Sequence, residues 1–230
     1  ISYTATSDRI ISARFQTRNG MVTICQAYAP TADADDDKID AFYIDLQEGI
    51  NKIPKRDALI VMGDFNAKIG AGDENTKAVI GRYGIGQRNE RGDRLLDFCY
   101  VNNLCIANTR FKQAKISRCW TWESPDRKTH NQIDYIIVSQ KLIGSVRNSR
   151  AFPSADCGSD HQLVMANIRL KWKVRKPIMR AKKVDVQRLQ SEDIRLKYHT
   201  EVEAKWQVTL TEPITSIEEE WTKVKDIIQN

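Results

Sequence analysis

Three short stretches of the chain pair a carboxylate with an amide or an imidazole: Gly63-Asp64-Phe65-Asn66, Asn131-Gln132-Ile133-Asp134-Tyr135 and Ser159-Asp160-His161. Hydrolysis of a phosphodiester requires a group that activates water, positive charge against the phosphoryl oxygens, and a means of stabilising the leaving oxygen. Carboxylates, histidine and a divalent metal supply those functions. Residues two apart on a strand share a face, so Asp64 and Asn66 are expected to project into one cleft while Phe65 turns to the core. Asp134 sits in the otherwise apolar run 133–138, where an unpaired carboxylate is costly. It is expected to orient and stabilise a cationic His161, as carboxylates do in hydrolase triads. Taken singly, Asp64 and Asn66 also suit a turn; the three stretches together are far more specific than any one.

The elements that must position these groups follow from periodicity. Ile11, Ala13 and Phe15 alternate, as do Val22, Ile24 and Tyr28, with Asn19-Gly20 between the runs, which predicts a β-hairpin. Ile39, Phe42, Leu46, Ile50 and Ile53 recur at spacings of three and four behind Asp35, Asp36 and Asp37. That predicts an amphipathic helix over 35–53, with carboxylates at its positive end and Pro54 as its stop. The apolar run 58–62, bounded by Gly63, suits a strand buried on both faces, which puts Asp64 at its carboxyl end. A polar, Gly-rich stretch fills 68–94. Leu95, Leu96, Phe98, Cys99 and Val101 then predict a helix, and 104–107 a short strand. Further strands are expected at 119–123, 132–138 and 162–170. Trp120 and Trp122, which flank Thr121, read as core or sheet-face aromatics.

Length and composition bound the answer. At 230 residues the chain suits one full domain with an appendage. With 41% hydrophobic residues, 11 Gly and 6 Pro, collagenous, low-complexity and disordered classes are excluded. No apolar run approaches the ~18 residues that span a bilayer, so no membrane partner is expected. The five cysteines are odd in number and never in a C-x-x-C pair, which argues against a disulfide framework and for a reducing intracellular compartment, nuclear or cytoplasmic. A net charge of +6 permits a polyanionic partner. Seven basic residues and no acidic one between 171 and 183 predict a basic linker, after a domain over 1–170 and before a helical tail over 184–230. In that tail Ile214, Ile217, Trp221, Val224 and Ile228 have helical spacing, and Ser216 with Glu219 suits a capping box.

Ala27-Tyr28-Ala29-Pro30, Gly63-Asp64-Phe65-Asn66-Ala67, Asn131-Gln132-Ile133-Asp134-Tyr135-Ile136 and Gly158-Ser159-Asp160-His161 resemble, in the same order, the motifs of the endonuclease/exonuclease/phosphatase superfamily. Thr121-Trp122-Glu123-Ser124-Pro125-Asp126 and Ala155-Asp156-Cys157-Gly158 resemble the apurinic-type endonuclease of RTE-like non-LTR retrotransposons. The resemblance covers roughly 1–170. It implies an α/β, four-layer sandwich of two mixed β-sheets flanked by helices, with the active site at one end of the sheets. It also implies Mg²⁺-dependent (or Mn²⁺-dependent) DNA nicking that leaves a 3′-hydroxyl, with no small-molecule cofactor. Carried over, Asp64 would hold or deprotonate the attacking water and Asn66 would orient it. His161, supported by Asp134, would contact the scissile phosphate, and Tyr28 would assist there. Asp160 would help bind metal, while Thr121 and Asn131 would line the substrate side. The family pattern also places an Asn and a metal-binding Glu ahead of the Tyr-bearing strand. Here 27 residues precede Tyr28, and the first Glu is Glu48. The expectation is therefore a domain that lacks its first strands, with weak or no activity. The competing expectation is an inactive, domesticated remnant that binds nucleic acid or chromatin through its basic arm.

Overall fold

The computed structural model describes residues 1–18, 20–155, 158–170, 186–210 and 216–229. The chain divides into two compact units, Ile1–Val174 and Arg175–Asn230. In the first, β1 (Ser2–Ser7), β2 (Ile10–Thr17) and β3 (Gly20–Tyr28) form an antiparallel meander, in which Gly20 opens β3 opposite Thr17. Helix α1 (Asp36–Asn51) then crosses to β4 (Ala58–Asp64), which runs parallel to β3. Helix α2 (Glu90–Val101) leads to β5 (Leu104–Ile106). Two-residue strands β6 (Trp122–Glu123) and β7 (His130–Asn131) form a ribbon that precedes β8 (Asp134–Ser139), β9 (Val146–Ala151) and β10 (Val164–Ile168). The main sheet has the order β1-β2-β3-β4-β8-β5 and is mixed, because only the β3–β4 pair is parallel.

Each face of this sheet is buried by a different layer. Cys25, Ala27, Leu59, Val61, Tyr135, Ile137, Leu104 and Ile106 face the two helices, where Ile39, Phe42, Leu46, Leu95 and Cys99 complete the larger core. Those helical positions recur at three and four, as burial on one stripe demands. The alternate residues Ile60, Met62, Ile136 and Val138 face the β9–β10 pair and pack with Val146, Val164, Ala166 and Ile168. The architecture is thus a mixed sheet between helices and a second antiparallel sheet, the fold class expected from the sequence. Over β1 to β3 this second face is more open: Tyr3 and Ile11 are exposed, and Phe15 and Ile24 are half-buried.

Several boundaries differ from the sequence reading. Helix α2 begins a turn earlier than the apolar pattern indicates, because the Asn89 side chain accepts the Gly92 N–H and caps it. The strand expected over 119–123 shrinks to Trp122–Glu123, since residues 116–118 coil into a 3₁₀ turn. β1 and β9 are additional strands. In the second unit, α3 (Glu192–Leu210) and α4 (Ile217–Gln229) form a helical pair, and the Ser216 hydroxyl accepts the Glu219 N–H at the start of α4. The expected basic linker over 171–183, Ile214 and Cys157 lie outside the described residues. Among the described residues, no helix is long and apolar enough to cross a membrane.

Candidate active site

Strand register assembles the site. Tyr28, Asp64 and Asp134 are direct neighbours across β3, β4 and β8, at the end of the sheet where β3 and β4 finish. Gly63 makes this convergence possible. Its φ is 141°, and a Cβ there would lie 1.8 Å from the Ala27 carbonyl oxygen, so only glycine lets β4 approach β3 so closely. Beyond Asp64 the chain leaves the strand: Asn66 has φ 47°, in the left-handed region that Asn tolerates. The simple alternation expected for Asp64 and Asn66 therefore does not apply. The Asn66 backbone N–H turns back to donate to Asp64 Oδ1 at 2.8 Å, and its side-chain Nδ2 donates to the Ala29 carbonyl at 3.0 Å. Asn66 thus fixes the orientation of the Asp64 carboxylate and ties it to the β3 end. Phe65 is buried against Tyr135, as expected.

Asp134 is held from both sides. Thr121 Oγ1 accepts the N–H groups of Ile133 and Asp134, each at 3.0 Å. Asn108, buried in the domain, donates to the Asp134 carbonyl and accepts the Ile136 N–H. Thr121 is fully buried, so the expectation that it lines the substrate side is corrected: its hydroxyl oxygen accepts two backbone amides and its O–H serves the Asp134 carboxyl, so its part is to position Asp134. Asn131 is half-buried, and its carbonyl accepts the Thr121 N–H at 2.8 Å.

His161 reaches Asp134 from a separate loop, with Nδ1 lying 3.0 Å from Asp134 Oδ2. That contact leaves Nε2 as the ring atom for other partners. The loop is pinned by the Gln162 N–H on the Thr121 carbonyl (2.7 Å) and the Glu123 N–H on the Asp160 carbonyl (2.9 Å). The Trp122 indole N–H donates to Asp160 Oδ2 at 2.9 Å. Trp122, read from sequence as a packing aromatic, is therefore the residue that aims Asp160, and nothing in its spacing signals that.

Burial pushes the Asp64 carboxyl up to about 6, and the charges of Asp134 and Asp160 add to the effect against the opposing Asn66 N–H and His161. Burial also raises the Asp134 carboxyl, opposed by the Thr121 hydroxyl and His161. Among the described residues, no lysine or arginine lies within ion-pair distance of either. Ligating atoms of Asp64, Asp134 and His161 all lie within 4.8 Å of one another. Two half-buried carboxylates with no lysine or arginine beside them form a hard-oxygen donor set that suits a divalent cation such as Mg²⁺. Asp160 stands beside this cluster rather than in it.

Residues 22–165 match the family model described as endonuclease-reverse transcriptase. Craniofacial development protein 2 of Tragulus javanicus is 46% identical over 168 residues, covering 73% of this chain and 29% of that protein. The chain thus spans less than a third of the length of that relative. Exodeoxyribonuclease III of Haemophilus influenzae is 29% identical over 182 residues, covering 70% of this chain and 67% of that enzyme. Among solved structures, the endonuclease domain of TRAS1, a telomere-specific non-LTR retrotransposon, superposes with a TM-score of 0.51 at 21% identity, covering 70% of this chain and 62% of that one. With the matched model spanning more than half of the sequence and the site residues falling inside it, the chain belongs to the endonuclease-reverse transcriptase family, within the endonuclease/exonuclease/phosphatase superfamily.

Proposed function

We propose that this domain is a DNA-nicking endonuclease of retroelement type that hydrolyses a phosphodiester bond with Mg²⁺, or Mn²⁺ in its place. The observation that carries the reading is the Asp64–Asp134–His161 cluster, with two carboxylates side by side and a histidine fixed by one of them. The family and the exodeoxyribonuclease relative support nucleic acid as substrate, and the retroelement-like wording around Thr121 favours DNA.

Asp64 serves as the base. A carboxyl raised to about 6 is mostly ionised at neutral pH, yet accepts a proton more readily than an ordinary aspartate. Its orientation is set by the Asn66 N–H, so it meets an attacking water in one geometry. Asp134 holds His161 through Nδ1 and fixes the ring, and Nε2 then faces a phosphoryl oxygen as charge accumulates there. Tyr28, exposed beside Asp64, offers a phenolic O–H to the same phosphate. A metal held by the Asp64 and Asp134 carboxylates, with Asp160 nearby, would neutralise phosphoryl charge and the leaving oxygen. Two carboxylates leave most of a Mg²⁺ coordination sphere to water and phosphate, so weak affinity and slow turnover are expected.

Supercoiled plasmid nicking with Mg²⁺ tests the proposal. The folded wild-type protein should nick, and Asp64→Ala and His161→Ala should each lose that activity. A folded wild-type protein that binds DNA without nicking it would replace this reading with that of an inactive DNA-binding domain.

A further inference from the structure

We propose that Arg9 forms, with Tyr28, a subsite for a DNA backbone phosphate flanking the scissile one; this rests on the nuclease reading above. Arg9 lies on the turn between β1 and β2. Its carbonyl accepts the Tyr28 N–H at 3.0 Å, which extends the row of site residues by one strand to Arg9, Tyr28, Asp64 and Asp134. At a strand spacing of about 4.8 Å, Arg9 stands about 10 Å from Asp64 along this row. That is about three rises of about 3.4 Å along a DNA strand, so the phosphate held there lies a few nucleotides from the scissile one.

The side chain is placed for such a contact. The guanidinium carbon sits 5.4 Å from the Tyr28 ring centroid, and Nη1 donates to the Tyr28 carbonyl at 3.3 Å. One of its five N–H groups is used there, and the rest of the planar fork remains for a bidentate anion. The Tyr28 ring, itself half exposed, holds the fork at the rim of the site, where its side-chain entropy is already partly spent. Four other arginines of the domain are paired internally: Arg14, Arg88, Arg91 and Arg94 each face a carboxylate of their own chain. Among the described residues, no carboxylate lies within ion-pair distance of Arg9. A fixed, uncompensated guanidinium in line with two candidate catalytic carboxylates has the chemistry to hold a phosphodiester on the β2 side of the cleft.

The test is equilibrium binding of a fluorescent 20-base-pair duplex, without divalent metal, at 50 to 200 mM salt, for wild type, Arg9→Gln and Arg9→Lys. Arg9→Gln should bind about ten-fold more weakly, and its dependence of log affinity on log salt should be shallower by about one unit. Arg9→Lys should keep the wild-type salt dependence, since the charge is retained, while losing part of the affinity that the fork supplies. Thermal melts of all three should coincide, because Arg9 has no buried partner to lose. Wild-type binding with an unchanged affinity and slope in Arg9→Gln would overturn the subsite and leave the nuclease reading standing. Absence of any salt-dependent binding by wild type would overturn both.

Discussion

Two aspartates bracket β4 and have opposite fates. Asp57, just before the strand, is 1% exposed and surrounded by donors: Arg14 through Nε and, at 3.0 Å, Nη2, and Thr23 through its hydroxyl at 2.9 Å. The Arg14 guanidinium holds its carboxyl below the usual carboxylate range. Asp64, at the other end, meets one backbone N–H and two like-charged neighbours, and its carboxyl is raised to about 6. The protein neutralises one charge from within and leaves the other to be neutralised from outside. Charge that the fold itself satisfies is structural, and charge left unsatisfied beside a second carboxylate and a histidine is the ground on which Asp64 is proposed to meet a cation and a substrate.

The sharpest way to break this contrast is to remove the two charges separately. Asp64→Asn should lower plasmid nicking by about 10³-fold or more, the loss expected of a general base. It should at the same time raise stability at pH 7 by about 1 kcal/mol, since a poorly compensated half-buried charge is gone. A lower melting temperature for Asp64→Asn would show that Asp64 is structural after all. Asp57→Ala should do the reverse. Breaking a buried pair and stranding Arg14 and Thr23 costs about 3 kcal/mol, or about 6 to 12 °C in melting temperature for a chain of this size. Nicking per folded molecule should be unchanged well below that temperature.

The contrast also explains what the sequence discloses. Asp134 was legible because a carboxylate inside an apolar strand has to be justified by a partner, and His161 is that partner. Helix α1 and β4 were legible because burial on one stripe or on two faces imposes a period on Ile39, Phe42 and Leu46 or a continuous run from Ala58. β1 was not, because Ser2, Thr4 and Thr6 are hydroxyl residues on an edge strand, so no hydrophobic alternation marks it. β9 escaped for a related reason: its inward positions include Ser149, whose hydroxyl meets buried Asn108. The roles of Thr121, Trp122 and Arg9 depend on which loops meet at the sheet end, and that long-range pairing leaves no local period. Asn66 was identified through its motif for a reason that the backbone does not bear out, since it orients Asp64 from a left-handed turn and not from a strand face.

Metal addition sharpens the comparison further. If Asp64 and Asp134 bind Mg²⁺ with a dissociation constant near 1 mM, 10 mM Mg²⁺ should stabilise the wild type by about 1.4 kcal/mol. The same addition should leave Asp64→Asn nearly unmoved and shift Asp57→Ala as much as wild type. Micromolar affinity in a calorimetric titration would contradict the two-carboxylate site, and an equal shift in Asp64→Asn would place the ion elsewhere.

The smallest effect is the dependence of stability on pH, and its sign separates the two aspartates. Between pH 4 and 6 the unfolded chain has released the Asp64 proton while the folded chain, with its carboxyl near 6, still holds it. The folded state binds more protons, so stability falls as pH rises through that window. For Asp57 the folded value lies below the unfolded one, so its contribution is complete above pH 4 and is lost only as pH falls further. Denaturant melts in EDTA at pH 4, 5 and 6 should therefore show the wild type losing about 1 kcal/mol relative to Asp64→Asn across the window. The variant retains a smaller decline from Asp134, whose carboxyl is raised in the same direction. Parallel curves for the two proteins would mean that Asp64 is already compensated within the fold, which would remove the physical ground for assigning it to water activation and metal binding.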